Sequence, residues 1–181
     1  MKRNILSGMM ALLAGSLLAA DAGPAADVKS AAAALGSQTN YAWRATVEHL
    51  DRWLEPLKPD LLIGIESRGF LISAPLAYLS GRGFAMVRKR GKLPGKVIPY
   101  SYDLEYGTDT VEIQADAVKR GQRVVVLDDL LATGGTMAAA IALLRAVGAE
   151  VVGSACIIEL AFLGGRKQID TDFESVVCYE S

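Results

Sequence analysis

Asp128 and Asp129 stand side by side, and Ala132-Thr133-Gly134-Gly135-Thr136 follows a short way on. Adjacent carboxylates accept hydrogen bonds and repel anions, so they suit sugar hydroxyls or a hydrated Mg²⁺. The loop of small residues suits the opposite charge. Backbone N–H groups gathered where a glycine loop opens a helix attract phosphate. A site wanting a polyol and a phosphate together suggests a sugar phosphate. Taken alone, these residues leave open a strand–turn–helix that carries some other ligand.

These groups need elements to place them. Val124–Leu127 is apolar and mostly β-branched, which predicts a strand buried on both faces that ends at the two acids. Met137–Val147 is apolar and alanine-rich, which predicts a helix closed by Gly148. Upstream, Trp43, Val47, Leu50 and Leu54 lie at helical spacing within Tyr41–Leu57, and Pro56 and Pro59 end that helix. Residues 25–40 read as a short helix or linker. Leu61–Ile65 reads as a short strand, with Glu66-Ser67-Arg68-Gly69 at its carboxyl end. Open α/β sheets bind ligands at such ends, and Ser67 and Arg68 could hold an anion there. Phe70–Leu79 predicts a helix and Phe84–Val87 a strand. The cations of Arg88-Lys89-Arg90-Gly91-Lys92 then suit a polyanion clamp or a solvated face. Lys96–Glu112 is polar and aromatic, as in an extended loop or hairpin that serves as a lid. Ile113–Val118 reads as the start of a short helix, and Glu150–Leu160 and Phe173–Tyr179 as further strands. The alternation predicts an α/β fold: a mostly parallel twisted sheet flanked by helices.

Bulk properties narrow the function. The 181 residues fit one domain, with about half of them apolar. A net charge of −1 argues against nucleic acid as the main partner. Cys156 and Cys178 make neither a disulfide framework nor a metal site, and Cys156 reads as a small buried hydrophobe. The lone His49 reads as a surface or packing residue. Lys2 and Arg3, the apolar run Ile5–Ala20 and Ala20-Asp21-Ala22 have the pattern of a signal peptide. Residues 1–22 are therefore a signal-like or N-terminal extension, the alternative being a helix packed on the domain, and 23–181 the domain itself.

The stretch Val124–Thr136, VVVLDDLLATGGT, resembles the ribose-phosphate signature of the type I phosphoribosyltransferases, and its wording is similar to that of the adenine-using members. RKRGKLPG at 88–95 and the lid-like SYDLEYG at 101–107 are similar to the same group. The resemblance runs from about Trp43 to Tyr179. It implies a small hood and a flexible lid on the α/β domain. It implies transfer of a phosphoribosyl group from 5-phosphoribosyl 1-pyrophosphate (PRPP) to adenine, giving AMP and pyrophosphate in purine salvage. Asp128, Asp129, Ala132, Thr133, Gly134, Gly135 and Thr136 would then hold the ribose and 5-phosphate. Ser67, Arg68, Arg88, Lys89 and Lys92 would hold the pyrophosphate, with Mg²⁺ carried by PRPP rather than ligated directly by the protein. A strained non-proline peptide bond often precedes the Ser67 position. Glu105 would manage the proton of the base, Tyr106 would close over the site, and Leu160 would pack on the base. The family further implies a homodimer in the cytoplasm, with no membrane association of the mature protein. The alternatives are a non-catalytic phosphoribosyl-binding regulator on the same fold, a transferase for another purine, or an exported protein if residues 1–22 are a working signal. The chain departs from the family at its front. Gly23-Pro24-Ala25-Ala26-Asp27-Val28 stands where the family carries P-G-[IV]-x-F-R-D-[IV], so an altered affinity for the base is expected.

Overall fold

The computed structural model describes residues 39–104 and 107–181. Within them, α1 (Thr39–Leu57), β1 (Leu61–Ile65), α2 (Gly69–Ser80) and β2 (Gly83–Lys89) come first. A hairpin of β3 (Val97–Leu104) and β4 (Gly107–Gln114) follows. Then come β5 (Arg123–Leu131), α3 (Gly135–Ala146), β6 (Glu150–Leu160), two 3₁₀ turns (Ala161–Leu163 and Gly165–Gln168) and β7 (Phe173–Tyr179). The strands form one seven-stranded sheet in the order β3-β4-β2-β1-β5-β6-β7. β2, β1, β5, β6 and β7 run parallel. The hairpin is antiparallel and joins β2 through only two residue pairs, Arg88 with Glu112 and Lys89 with Val111.

Side-chain alternation along the strands divides the core into two layers. Leu61, Ile63, Ile65, Val124 and Val126 pack towards α3, beside Met137, Ile141 and Leu144. Leu62, Val125 and Leu127 pack on the other face against α1 and α2, beside Leu50, Leu54, Ile72 and Leu76. The i, i+4 pair Leu50 and Leu54 is wholly buried, and each such leucine stabilises the fold by about 1.5–3 kcal/mol. His49, also buried, brings its Nε2 to 2.8 Å from Glu174 Oε1 and so ties α1 to β7. It is a packing histidine.

Two elements differ from expectation. Ile113 is not the start of a helix. It and Gln114 complete β4, opposite Ile98 and Val97, and a turn follows. Ile113 is wholly enclosed in the α3-side core, so burial within a strand outweighs local pattern. The strand at 124 also does not stop at the acids. β5 runs on to Leu131, held by the pairs Leu130 with Ile158 and Leu131 with Glu159. Residues 1–38, which include the signal-like stretch and any hood, and Glu105 and Tyr106 at the lid tip lie outside the described residues.

Candidate active site

The sheet order creates a switch point. β1 is followed by α2 on the way to β2, its neighbour on one side. β5, its neighbour on the other side, is followed by α3 on the way to β6. The two exits diverge above the β1–β5 seam, and a crevice opens between them, as such topologies require. A cleft of about 310 Å³ lies there, lined by Glu66, Ser67, Arg68, Lys89, Asp128, Asp129, Leu130 and Thr136. Among these are Ser67, Arg68, Lys89, both acids and Thr136 of the sequence-derived candidates.

The acid pair sits in β5, one turn of chain before the loop. Asp128 Oδ1 accepts the Asp129 amide at 2.9 Å. Burial, and then the neighbouring Asp129 charge, push the Asp128 carboxyl well above its ordinary value. Asp129 Oδ2 accepts from Arg68 Nε at 2.5 Å. The first turn of α2 approaches β5 closely here. A Cβ on Gly69 would stand 2.6 Å from the Leu127 carbonyl oxygen, so only glycine lets Arg68 reach the acids. The Glu66–Ser67 peptide is cis.

The loop after β5 is made of main chain. Gly134 has φ +86° and caps α3 without any side-chain hydrogen bond to the first-turn amides. Those amides are free to meet an anion. A Cβ on Gly134 would lie 2.4 Å from the Gly165 carbonyl oxygen, and one on Gly165 would lie 2.2 Å from the Ala132 carbonyl oxygen. The two backbones therefore interlock, a partnership not signalled by the sequence pattern. Thr133 is exposed, and Ala132, Gly135 and Thr136 are partly covered.

The basic run divides. Lys89 reaches the cleft, where its ammonium donates to the Tyr102 hydroxyl at 2.7 Å and to the Asp109 carboxylate. Burial alone would lower the Lys89 ammonium, but Asp109 and Tyr102 outweigh it and raise it. Tyr102 Oη is also 3.2 Å from Thr136 Oγ1, so the hairpin touches the phosphate-type loop. Arg88 and Lys92 do not line the cleft. They flank Glu66, with Arg88 Nε 3.2 Å from Oε2 and Lys92 Nζ 3.3 Å from Oε1. The Lys89 amide donates to the same carboxylate at 2.9 Å. Burial works against ionised Glu66, but these donors and charges prevail and lower its carboxyl.

Leu160 is half-buried at the carboxyl end of β6, with exposed Phe162 and Leu163 just beyond. In the sequence, Glu66 is marked only as part of the turn after a strand and Tyr102 only within the lid-like motif, whereas Asp109 and Gly165 carry no signal. No cluster of three or more His, Cys, Asp or Glu that could hold a metal occurs among the described residues.

Residues 22–180 match the phosphoribosyl transferase domain family. The chain is 69% identical over 140 residues to an adenine phosphoribosyltransferase of Rhodospirillum centenum, covering 77% of this chain and 82% of that protein. It is 61% identical over 139 residues to the enzyme of that name from Acidiphilium cryptum, at 77% and 81% coverage. A crystal structure of adenine phosphoribosyltransferase from Thermoanaerobacter pseudethanolicus superposes with a TM-score of 0.74 at 50% identity, over 76% of this chain and 81% of that one. The Saccharomyces cerevisiae enzyme, crystallised with adenine and an imino-altritol bisphosphate, superposes with a TM-score of 0.70 at 37% identity, over 75% and 79%.

Proposed function

The chain belongs to the adenine phosphoribosyltransferases, and from that membership we propose how its cleft moves a phosphoribosyl group from PRPP to adenine, giving AMP and pyrophosphate. One observation carries the reading. A carboxylate pair, an uncapped helix start and two cations converge on a single crevice at the switch point.

Each part has a task. The α3 amides, with Thr133, Thr136 and the backbone of Ala132, Gly134 and Gly135, hold the 5-phosphate. Asp128 and Asp129 hold the ribose hydroxyls. Their negative charge favours the cationic ribosyl group that forms as the bond to pyrophosphate loosens. Arg68 and Lys89 meet the departing diphosphate, with Ser67 and the amides after β1 beside them. Arg88 and Lys92 act from the flank through Glu66. Glu105 carries the proton of the base nitrogen, Tyr106 closes the lid against water, and Leu160 packs on the base. Mg²⁺ arrives with PRPP and offsets the diphosphate charge. The acid pair is suited to its hydration shell rather than to direct ligation.

The active form is a homodimer. Leu71, Tyr78 and Leu79 share one side of α2 and are 61%, 92% and 53% exposed, an apolar stripe suited to a second copy. The protein works in the cytoplasm, where PRPP is made, as a domain of residues 23–181 behind an N-terminal extension. No helix among the described residues is long and apolar enough to cross a membrane.

The test is pyrophosphate release from PRPP with adenine, hypoxanthine and guanine side by side. Turnover with adenine above the other two is expected, with a raised KM for adenine because of the altered front segment. Binding of PRPP without turnover of any base would overturn the enzymatic reading. Adenine turnover at an ordinary KM would remove the altered-affinity part alone.

A further inference from the structure

Beneath the phosphate-type loop lies an ion pair that touches none of the cleft. Glu159, 4% exposed, accepts from Arg166 Nε at 2.9 Å and from Arg166 Nη2 at 2.8 Å, a two-pronged pairing. The Ser175 hydroxyl donates to the same carboxylate at 2.8 Å, and the Arg166 guanidinium lies 4.5 Å from the centre of the Phe173 ring. Arg166 thus spans β6 and β7 from a 3₁₀ turn whose backbone bonds are short-range: Gly164 to Ala161, Lys167 to Gly164 and Ile169 to Arg166. A second tie, Arg145 Nη1 to Asp170 Oδ2 at 2.7 Å, holds the far side of the turn at the surface. The residue beside Arg166 is Gly165, whose backbone interlocks with Ala132 and Gly134.

We propose that Arg166 is a positioning residue for phosphoribosyl binding: clamped by Glu159, it fixes Gly165 as the wall that shapes the Ala132–Gly135 loop. The inference rests on the reading of that loop as the 5-phosphate cradle. The contact is rigid at both ends. Gly165 and the loop meet through main-chain atoms with no room for a Cβ, so a shift of the turn moves the loop rather than a side chain. Glu159 directly precedes Leu160, so the same clamp fixes the leucine assigned to the base.

The proposal separates two halves of the substrate. Ribose 5-phosphate depends on the loop, whereas pyrophosphate depends on Arg68 and Lys89, which lie on elements that Arg166 does not touch. Calorimetric titration of the full chain with ribose 5-phosphate and with inorganic pyrophosphate tests this in Arg166→Gln, Arg166→Lys and Gly165→Ala. Ribose 5-phosphate should weaken by about ten- to a hundred-fold in Arg166→Gln. Pyrophosphate should stay within about two-fold in that variant, on the same geometric argument. Arg166→Lys should recover part of the loss. Gly165→Ala should reproduce the selective defect without touching the ion pair, and serves if Arg166→Gln does not fold. Equal weakening of both ligands, or unchanged ribose 5-phosphate binding, would overturn the proposal. Gly135→Pro, which removes a first-turn amide of α3 at a position where proline is tolerated, combined with Thr133→Ala and Thr136→Ala, tells the two levels apart. If the combined variant leaves ribose 5-phosphate binding intact, the cradle reading fails; if it weakens binding while the Arg166 variants do not, the positioning role fails.

Discussion

Asp109 on β4 accepts a hydrogen bond from the ammonium of Lys89 on β2, the lysine that lines the crevice and would meet the diphosphate there. The lysine therefore has a counter-ion before any substrate arrives. Its hydrogen bond holds the Asp109 carboxyl below the usual range, so the pair is ionised at neutral pH. An incoming pyrophosphate competes with Asp109 for the same charge. Asp109→Asn should tighten inorganic pyrophosphate by several-fold and lower the KM for PRPP, read by calorimetry and initial rates. A weaker pyrophosphate complex would mean that Asp109 aims the lysine rather than competing for it.

Lys89 and Lys92 should separate in kinetics. Lys89→Met removes one of the two cations that line the cleft and should cost about 10²–10³-fold in kcat/KM for PRPP. Lys92 is exposed and does not line the cleft, though it pairs with the cleft residue Glu66, and its replacement by Met should cost less than about five-fold, as for other surface ion pairs. Equal losses would show that both reach the diphosphate in the closed state.

Asp128 sets stability against binding. Burial and the Asp129 charge raise its carboxyl in the folded state. The folded protein thus takes up a proton more readily than the unfolded chain. The contribution of Asp128 to stability is greatest below the ordinary carboxylate value of about 4 and is lost as pH rises through the raised folded value. Asp128→Asn removes that loss and can still accept the Asp129 amide. Its melting temperature at neutral pH should exceed the parent's by a few degrees, on the order expected for a domain of this size. The gap should close as pH falls below about 4. Ribose 5-phosphate affinity should drop by roughly ten- to a hundred-fold, the usual loss with a charged hydrogen-bond partner. A melting temperature unchanged at every pH would refute the assignment of strain to Asp128.

Glu105→Gln addresses the lid. It should lower kcat by about 10²–10⁴-fold, the range for general acid–base catalysis, with the KM for PRPP little altered. A rise in that KM with kcat intact would assign Glu105 to PRPP binding instead.

Much of this architecture can be read from residues alone because burial writes a pattern. Leu61–Ile65 and Val124–Leu127 are continuous apolar runs, and both become central strands covered on two faces. The end of β4 left no such mark. Ile113 and Gln114 are fixed by their opposition to Ile98 and Val97, a pairing made across the hairpin. The division of the basic run had a signal in period two. Arg88 and Lys89 are neighbours on one strand and must point to opposite faces, so only one could enter the crevice. The links of Lys89 to Tyr102 and Asp109, and of Gly134 to Gly165, join segments distant in the chain. Composition does not encode them.

The interlock of Gly134 and Gly165 has a consequence for how such a site can change over time. The outline of a cradle walled by main chain on both sides does not depend on the identity of neighbouring side chains, whatever the Thr133 and Thr136 hydroxyls add within it. Substitutions around it can accumulate without altering its outline, provided that these two positions keep hydrogen in place of a side chain. The loop thus exchanges freedom at two sites for latitude at its others. New specificity is more accessible at the rim, through Leu160, Phe162 and the segment that reads the base, than at the phosphate itself.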